Sequence, residues 1–387
     1  KFSAVTPGYG DMSAVKPESP DLTHLKYETI TSNNIGVDVG LFSDRITFAV
    51  ELYTKVTDDM LQKKIKVPSS TGLSTVAWYN SGKMENRGWE FNIDVAAVRT
   101  KDWGLNFGFN ISQNKNKVLE LPENQSDETY TFGNKKYAYR VLMGDPLGSF
   151  YGYRYKGVYQ NVEETYAVDK TGQQIMDING APVVVKNGDQ KVYPGDAKYE
   201  DVNGDGVIDE NDIVYLGNSN PTLTGGLNFT LRYKKLSLVA ALHGRAGQKV
   251  INESRINMEN MYGKNNQSVA VLRRWRSEGD NTDIPRALYD KGYNYLGSDR
   301  FVEDASFLRL KTITLKYQFP ENWMKPLGIN KLEIYATGYD LFVWTKYTGQ
   351  DPEINLKNPD GSAAQVAIDS NNTPKAMRFA FGLNLRF

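Results

Sequence analysis

The strongest constraint in this sequence is a strict alternation of apolar and polar residues, which recurs along its length. At the C-terminal end every second residue is apolar, and small or polar residues lie between them. The apolar residues of this run are Met377, Phe379, Phe381, Leu383, Leu385 and Phe387. Runs with the same period occupy 34–41, 46–53, 89–95, 103–112 and 227–233. Because successive side chains of a β-strand point to opposite faces, the sequence predicts an all-β chain whose strands each have one apolar face.

The segments between these runs alternate between short and long. The short ones are 43–45, 100–102 and 234–235, whereas the long polar ones are 61–83, 161–220, 247–300 and 347–374. Transmembrane barrels have short turns at one end and long loops at the other. A soluble β-sandwich also has alternating strands, but it has no reason to sort its loops in this way. We therefore predict an antiparallel transmembrane β-barrel, with long extracellular loops at 161–220, 247–300 and 347–374.

The number of strands bears on how much of a barrel the chain contains. If 137–143 and 150–160 are counted as two strands, the total is about 11, whereas single-chain bacterial barrels have an even number. An incomplete barrel would also leave two unpaired edges in lipid. We therefore expect residues 1–387 to be the C-terminal part of a larger barrel, without its plug domain. The phase of the alternation slips near Lys311 and Thr312, which predicts a β-bulge there.

The segment 201–212 reads DVNGDGVIDEND and fits the spacing of a calcium-binding EF-hand loop. Gly206 stands where such a loop turns sharply. The predicted calcium ligands are the side chains of Asp201, Asn203, Asp205, Asp209 and Asp212, together with the backbone carbonyl of Val207. The alternative interpretation is a solvated acidic turn. We expect a structural calcium site that fixes a long external loop.

Composition excludes several other functions. Lys and Arg total 46, as do Asp and Glu, so a net positive charge that would attract nucleic acid is absent. Without cysteine there is no thiolate zinc site or cysteine nucleophile, and neither His24 nor His243 belongs to a catalytic motif. We expect no enzyme activity and no catalytic residues, and we interpret His243 as a lumen residue. The stretch Tyr151–Tyr155, with tyrosine at every second position, predicts an aromatic girdle at the membrane interface.

A series of short motifs also runs through the whole chain. The motifs are DLTHLKYET at 21–29, NIGVDVGLF at 34–42, NRGWE at 86–90, GSFYGY at 148–153, PGDAKYEDVNGDGVID at 194–209, LGNSNP at 216–221, IPRA at 284–287, FLRL at 307–310 and YTGQDPE at 347–353. In this order they resemble SusC/RagA-type TonB-dependent transporters. The resemblance covers essentially the entire chain.

This resemblance implies a location in the cell outer membrane and a barrel of about 22 strands, surrounded by outer-membrane lipid. It further implies a SusD-like surface lipoprotein as a lid, TonB as the source of energy, and import of oligosaccharides or oligopeptides. We expect substrate contacts in 247–300 and 347–374. The alternative function is that of a soluble, secreted β-sandwich that binds carbohydrate with the help of calcium.

Overall fold

The computed structural model describes residues 2–5, 14–17, 25–66, 70, 75–121, 130–131, 137–139, 141–357, 366–371 and 373–387. We label the nine longest described strands β1 to β9 in chain order. The chain divides into two compact units. The first contains Lys1–Ala97, Asn106–Glu128 and Val141–Leu147, and the second contains Val98–Leu105, Thr129–Arg140 and Gly148–Phe387.

The first unit contains an antiparallel sheet in which each strand pairs with the next along the chain. Its strands are β1 (Thr29–Leu41), β2 (Ile46–Asp58) and most of β3 (Lys83–Arg99) and β4 (Trp103–Glu120), whose adjoining ends within Val98–Leu105 belong to the second unit. The register of β1 against β2 is unbroken from its first pair to its last, so the alternation of both strands stays in phase. Ile35 pairs with Leu52 and Val37 pairs with Val50, which places all four apolar side chains on one face.

The opposite face of the same sheet is polar and linked by side-chain hydrogen bonds. The amide of Asn34 donates to Glu51 Oε1 at 3.0 Å. The Oδ1 atom of Asn86 accepts hydrogen bonds from the amides of Asn114 and Asn116, at 3.1 and 3.0 Å. One face therefore suits hydrocarbon and the other suits water.

The second unit contains five long strands, again antiparallel and paired in chain order. They are β5 (Leu223–Tyr233), β6 (Leu236–Ala246), β7 (Phe307–Gln318), β8 (Lys331–Thr345) and β9 (Arg378–Arg386). The turn between β5 and β6 is bound to the turn at 100–102, because the backbone N–H of Lys234 donates to the carbonyl of Asp102 at 2.6 Å. The guanidinium of Arg232 donates to the carbonyl of Thr100 at 3.1 Å.

The β-bulge that the sequence predicts is confirmed. Leu310 and Thr312 are consecutive paired residues of β7 against both of its neighbours, so Lys311 is skipped in each ladder. On the facing strand, Asp340 and Leu341 are skipped as well, and Asp340 adopts a left-handed φ of 51°. Both strands are therefore distorted at the same level.

The remaining described elements are short and lie mostly in the long connections. The short strands are Phe2–Val5, Ala14–Pro17, Leu61–Lys66, Thr75–Asn80, Tyr130–Thr131, Ala138–Tyr139, Ser149–Gly152, Tyr155–Val158, Lys186–Asn187, Gln190–Lys191, Ala197–Tyr199, Val207–Ile208, Val214–Asn218, Lys249–Ile251, Val302–Asp304, Leu356–Lys357 and Val366–Ala367. The α-helices are α1 (Glu253–Glu259) and α2 (Glu321–Met324). The 3-10 segments are Glu163–Thr165, Glu210–Asp212, Val269–Arg273, Asp299–Phe301 and Lys325–Leu327. Among the helices described, none is both long enough and apolar enough to cross a membrane.

The prediction of two further barrel strands at 137–143 and 150–160 is wrong. Within the described residues, the strand Ser149–Gly152 pairs with Val214–Asn218, and Tyr155–Val158 pairs with Ala197–Tyr199. These are small ladders separate from the long strands. The described long strands therefore number nine rather than about 11.

The predicted aromatic girdle at Tyr151–Tyr155 is also wrong. Tyr151 and Tyr153 are only 4% and 6% exposed. Tyr153 belongs to an apolar cluster with Tyr199 and Leu296, built from the connections at 141–222 and 247–306. The buried core of the second unit therefore lies largely in its long connections, where alternation alone does not reveal it.

The long strands of the second unit expose apolar side chains instead. Phe379, Phe381 and Leu383 on β9 are 67%, 81% and 59% exposed. Leu315 on β7 and Ile334 on β8 are also exposed. A stripe of this kind is unfavourable in water but matches the lipid-facing band of a membrane barrel. The all-β barrel interpretation therefore accounts for this surface.

This surface predicts that a charged side chain lowers the free energy of unfolding on one face of β9 and has little effect on the other. We expect Leu383→Arg to lower the free energy of unfolding by about 2–4 kcal/mol, because a charge enters hydrocarbon. The control is Asn384→Arg, since Asn384 is the next residue and its side chain contacts Glu333 on the polar face. Urea unfolding of the intact protein in phospholipid vesicles measures both. Equal effects of the two changes would contradict a lipid-facing stripe.

Candidate functional site

The predicted calcium loop forms a compact turn followed by the strand Val207–Ile208 and the 3-10 segment Glu210–Asp212. Asp201 organises its first half. Its Oδ1 accepts the backbone N–H of Gly204 at 2.6 Å, and its Oδ2 accepts that of Gly206 at 2.7 Å. Gly206 has a φ of +81°, a conformation that favours glycine. The sharp turn that the sequence predicts at this glycine is therefore present.

The middle ligands of the predicted set lie next to each other in space. The amide nitrogen of Asn203 donates to Asp205 Oδ2 at 2.8 Å, and Asp205 Oδ1 accepts the backbone N–H of Val207 at 2.8 Å. Asp209 caps the 3-10 segment, because its Oδ1 accepts the backbone N–H of Asn211 at 2.8 Å. These side chains therefore stabilise the turn through local hydrogen bonds.

Asp212 closes the loop from its far end. Its carboxylate is fully buried, and it accepts the backbone N–H of Val202 at 2.8 Å and that of Asp209 at 2.9 Å. Burial raises the pKa of Asp212, the nearby charge of Asp201 adds to this, and the backbone hydrogen bonds oppose it. In the part of the chain that the structure describes, no three His, Asp or Glu side chains stand together as metal ligands would. The carboxylates of this loop instead turn toward backbone N–H groups.

A second group of charged side chains lies at the bulge between β7 and β8. Arg309 is 2% exposed and alternates with Leu308 and Leu310, so it points to the face opposite the exposed apolar residues. Lys311 and Asp340 are both bulged residues, and Lys311 Nζ lies 3.8 Å from Asp340 Oδ1. The bulge therefore brings a lysine and an aspartate to a polar face that already carries a buried arginine.

The connection at 346–377 supplies carboxylates to this group. Asp351 forms a close ion pair with Arg309, and both side chains are buried. Glu353 Oε2 lies 2.9 Å from Lys311 Nζ and 2.5 Å from Lys375 Nζ. Because an unpaired buried charge is strongly unfavourable, these pairs bind the connection to the polar face of the sheet.

Further hydrogen bonds hold the same connection from other sides. The hydroxyl of Tyr347 donates to Asp369 Oδ2 at 2.7 Å, which ties the two ends of the connection together. The amide of Gln248 donates to the carbonyl of Pro352 at 3.1 Å. Glu303 accepts the backbone N–H of Thr348 at 2.9 Å. These hydrogen bonds anchor the backbone at Thr348 and Pro352, and they thereby help to position the carboxylates of Asp351 and Glu353.

The ion pairs perturb the titration of Glu353. Burial alone would raise the pKa of Glu353, but hydrogen bonds from Lys375 and Lys311 outweigh burial and lower this pKa to about 2. The same contact raises the pKa of Lys375, although burial acts in the opposite direction. Glu353 therefore stays ionised through the whole physiological range.

A cleft of about 570 Å³ opens beside these residues. Its lining includes Lys311, Thr312, Tyr339, Asp340, Lys375 and Arg378. The sequence predicts substrate contacts in 347–374, but it singles out none of the residues of this cleft as contacts. The phase slip near Lys311 marked the position of the bulge in the sequence, and it was the available signal for this cleft. It did not reveal the cleft itself, because the cations that meet there come from three separate segments.

The cluster predicts a stability change that depends on pH. We expect Glu353→Gln to lower the free energy of unfolding by about 1–3 kcal/mol at pH 7, because Lys311 and Lys375 lose their charged partner. The folded-state pKa of Glu353 is depressed, from 4.5 to about 2, so its contribution is present above pH 4.5 and is lost as pH falls toward 2. The difference between wild type and variant should narrow over that window.

Urea unfolding at several pH values measures this difference. Glu321→Gln is the matched control, because Glu321 is exposed at the start of α2. A difference that stays constant from pH 7 to pH 3 would contradict the assigned ion pairs.

Several bacterial proteins are similar to this chain. TonB-dependent receptor P3 of Formosa agariphila is 30% identical, with 100% of this chain matched to 37% of that protein. TonB-dependent receptor SusC of Bacteroides thetaiotaomicron is 28% identical, with 94% of this chain matched to 32% of that protein. The chain thus spans about a third of the length of these relatives. A solved structure of the RagAB peptide transporter matches 100% of this chain and 38% of its own chain, with a TM-score of 0.74 and 23% identity.

The structural match supports the fold, and a family comparison supplies the classification. The model of the "TonB dependent receptor-like, beta-barrel" family matches residues 3–337, which is most of the chain. The match includes β1 to β7, the loop at 201–212 and the bulge at Lys311. The exposed apolar face of the strands fits a location in the outer membrane. The chain belongs to the TonB-dependent receptor family of outer-membrane β-barrels.

Proposed function

We propose that the protein is a TonB-dependent importer in the outer membrane, with oligosaccharides or oligopeptides as cargo. The observation that carries this proposal is the two-faced sheet. Exposed apolar side chains cover one face, and the other face holds buried ion pairs and a charged cleft at the bulge. A polar face enclosed by an apolar exterior is the arrangement that a water-soluble cargo needs in order to cross lipid.

The proposal includes the rest of a barrel. In the described part of the chain, β1 and β9 each pair with only one neighbouring long strand. Unpaired backbone groups are unfavourable in hydrocarbon, so both strands need partners. We propose that residues 1–387 form the C-terminal part of a larger barrel, with the long connections on the extracellular side.

The partners proposed are a SusD-like surface lipoprotein and TonB. The similarity to SusC supports the first, and membership of the TonB-dependent receptor family supports the second. The RagAB peptide transporter, which has a similar fold, supports a peptide cargo. The proposal also includes a glycan as cargo. No catalytic role is proposed. The alternative of a soluble carbohydrate-binding sandwich is not favoured, because it leaves the exposed apolar stripe unexplained.

An uptake assay tests the import proposal. Cells that express the intact protein should take up fluorescent oligopeptides or oligosaccharides, and depletion of TonB should abolish this uptake. Cells that lack the protein but retain TonB are the control. Uptake that persists without TonB, or that is the same with and without the protein, would contradict an energised importer.

We also propose that the loop at 201–212 binds calcium through Asp201, Asn203, Asp205, Asp209, Asp212 and the carbonyl of Val207. The carboxylates of Asp201, Asp205 and Asp209 each accept backbone N–H groups of the same loop, which keeps them within one short segment. A carboxylate that accepts one N–H per oxygen retains further lone pairs for a cation. Binding requires the side chains of Asp201 and Asp205 to rotate toward one point. Calcium would then offset the repulsion between Asp201 and the buried Asp212.

Removal of calcium tests this site. We expect EDTA to lower the unfolding temperature of the wild type, since a ligand at 100 times its Kd stabilises by about 2.7 kcal/mol. Asp205→Asn should reduce the response, because it removes a charge but keeps an acceptor for Val207. Asp189→Asn is the control, as Asp189 is exposed on the same connection. Thermal unfolding and terbium luminescence give the readout. A wild type that neither responds to EDTA nor binds terbium would rule out the site.

A further inference from the structure

The cleft at the bulge contains more positive than negative groups. The cations in or beside it are Arg309, Lys311, Lys375 and Arg378, and the anions are Asp340, Asp351 and Glu353. One cation is therefore in excess. The buried ion pairs already described use Asp351 and Glu353, so these carboxylates are not free to neutralise it.

The excess charge resides on Arg378, at the start of β9. Its side chain is 69% exposed, and its only ion pair in the described part of the chain is a contact of 3.7 Å with Asp340 Oδ2. The guanidinium also lies over the ring of Tyr339, 5.4 Å from the ring centroid. This contact holds the guanidinium beside the ring while the side chain stays largely open to solvent. The guanidinium is thus available to bind a planar anion in a bidentate manner.

Asp340 provides a second and independent sign of a ligand. Its side chain is only 10% exposed, and among the described residues its Oδ1 has no hydrogen-bond partner. The nearest charge to this oxygen is Lys311 Nζ at 3.8 Å, which is too far for a hydrogen bond. A buried acceptor without a donor is unfavourable, and this one lines the cleft. A ligand that donates a hydrogen bond there would remove that cost.

We infer that the cleft binds a carboxylate of the imported molecule through Arg378 and Lys375, while Asp340 accepts a hydrogen bond from a neighbouring N–H or O–H of the same molecule. This inference rests on the proposed import function. The C-terminal residue of a peptide and the uronic acid unit of an oligosaccharide share this chemistry. The volume of about 570 Å³ accommodates a terminal unit of either kind.

The roles of the residues differ in a testable way. Arg378 is exposed, so its replacement leaves the buried ion pairs intact. Lys311 and Glu353 position the cleft, whereas Arg378, Lys375 and Asp340 contact the ligand. Arg378→Gln should therefore weaken binding of a carboxylate without loss of folding. Arg386→Gln is the matched control, because Arg386 is also exposed and lies on the same face near the other end of β9.

Calorimetry on the intact protein in detergent tests the inference with four probes. These are a tetrapeptide with a free C-terminus, the same tetrapeptide as a C-terminal amide, trigalacturonate and maltotriose. One of the two acids should bind at least about tenfold more tightly than its neutral counterpart, as a charge-assisted bidentate contact predicts. Arg378→Gln should abolish that preference, Asp340→Ala should weaken binding of the acid because it removes the acceptor, and Arg386→Gln should change neither. The acid that binds identifies the source of the carboxylate.

The outcomes separate this inference from the proposed function. If neutral probes bind and enter cells as well as the acids do, import stands and the carboxylate inference is overturned. The inference is also overturned if Arg378→Gln keeps the preference for an acid. If no probe binds and TonB-dependent uptake is absent, both the proposed import function and the carboxylate inference are overturned.

Discussion

The need to pair every backbone N–H and C=O group inside hydrocarbon governs this structure. For a chain of strands it requires a ladder that continues from neighbour to neighbour. The surrounding hydrocarbon in turn favours apolar side chains on the outer face. Leu383 and Ile334 are exposed for this reason, whereas Tyr153 in the long connections is buried. The chain thus has its apolar surface on its strands and its apolar core in its loops, the reverse of a soluble sandwich.

Given an apolar exterior, the polar face must satisfy its own charges. Around the bulge this is achieved by bringing Asp351 and Glu353 from a connection onto Arg309 and Lys311. Buried ion pairs contribute modest net stability, but the loss of one partner is costly. Their main effect is therefore to fix where the connection lies. That position in turn defines one wall of the cleft that Arg378 and Asp340 line.

The loop at 201–212 shows how local sequence can specify shape without specifying occupancy. The spacing of its aspartates and glycines predicts a tight turn, and the turn is present, with Asp201 as its organiser. The same carboxylates can serve backbone N–H groups or a cation, because both present positive charge to an oxygen lone pair. Hydrogen bonds of this kind keep the carboxylate oxygens within one turn, so the calcium binding proposed above would require side-chain rotation rather than refolding.

The sequence by itself determined the alternation, the two faces of each strand and the bulge near Lys311, because the period of two is a local property of extended backbone. It did not determine how many segments join the long sheet: 150–160 has strand character, yet tertiary pairing places it in small ladders among the connections. It also could not reveal the cleft. Lys311, Asp340 and Arg378 are distant in sequence, and only the register of three strands and a folded connection brings them together.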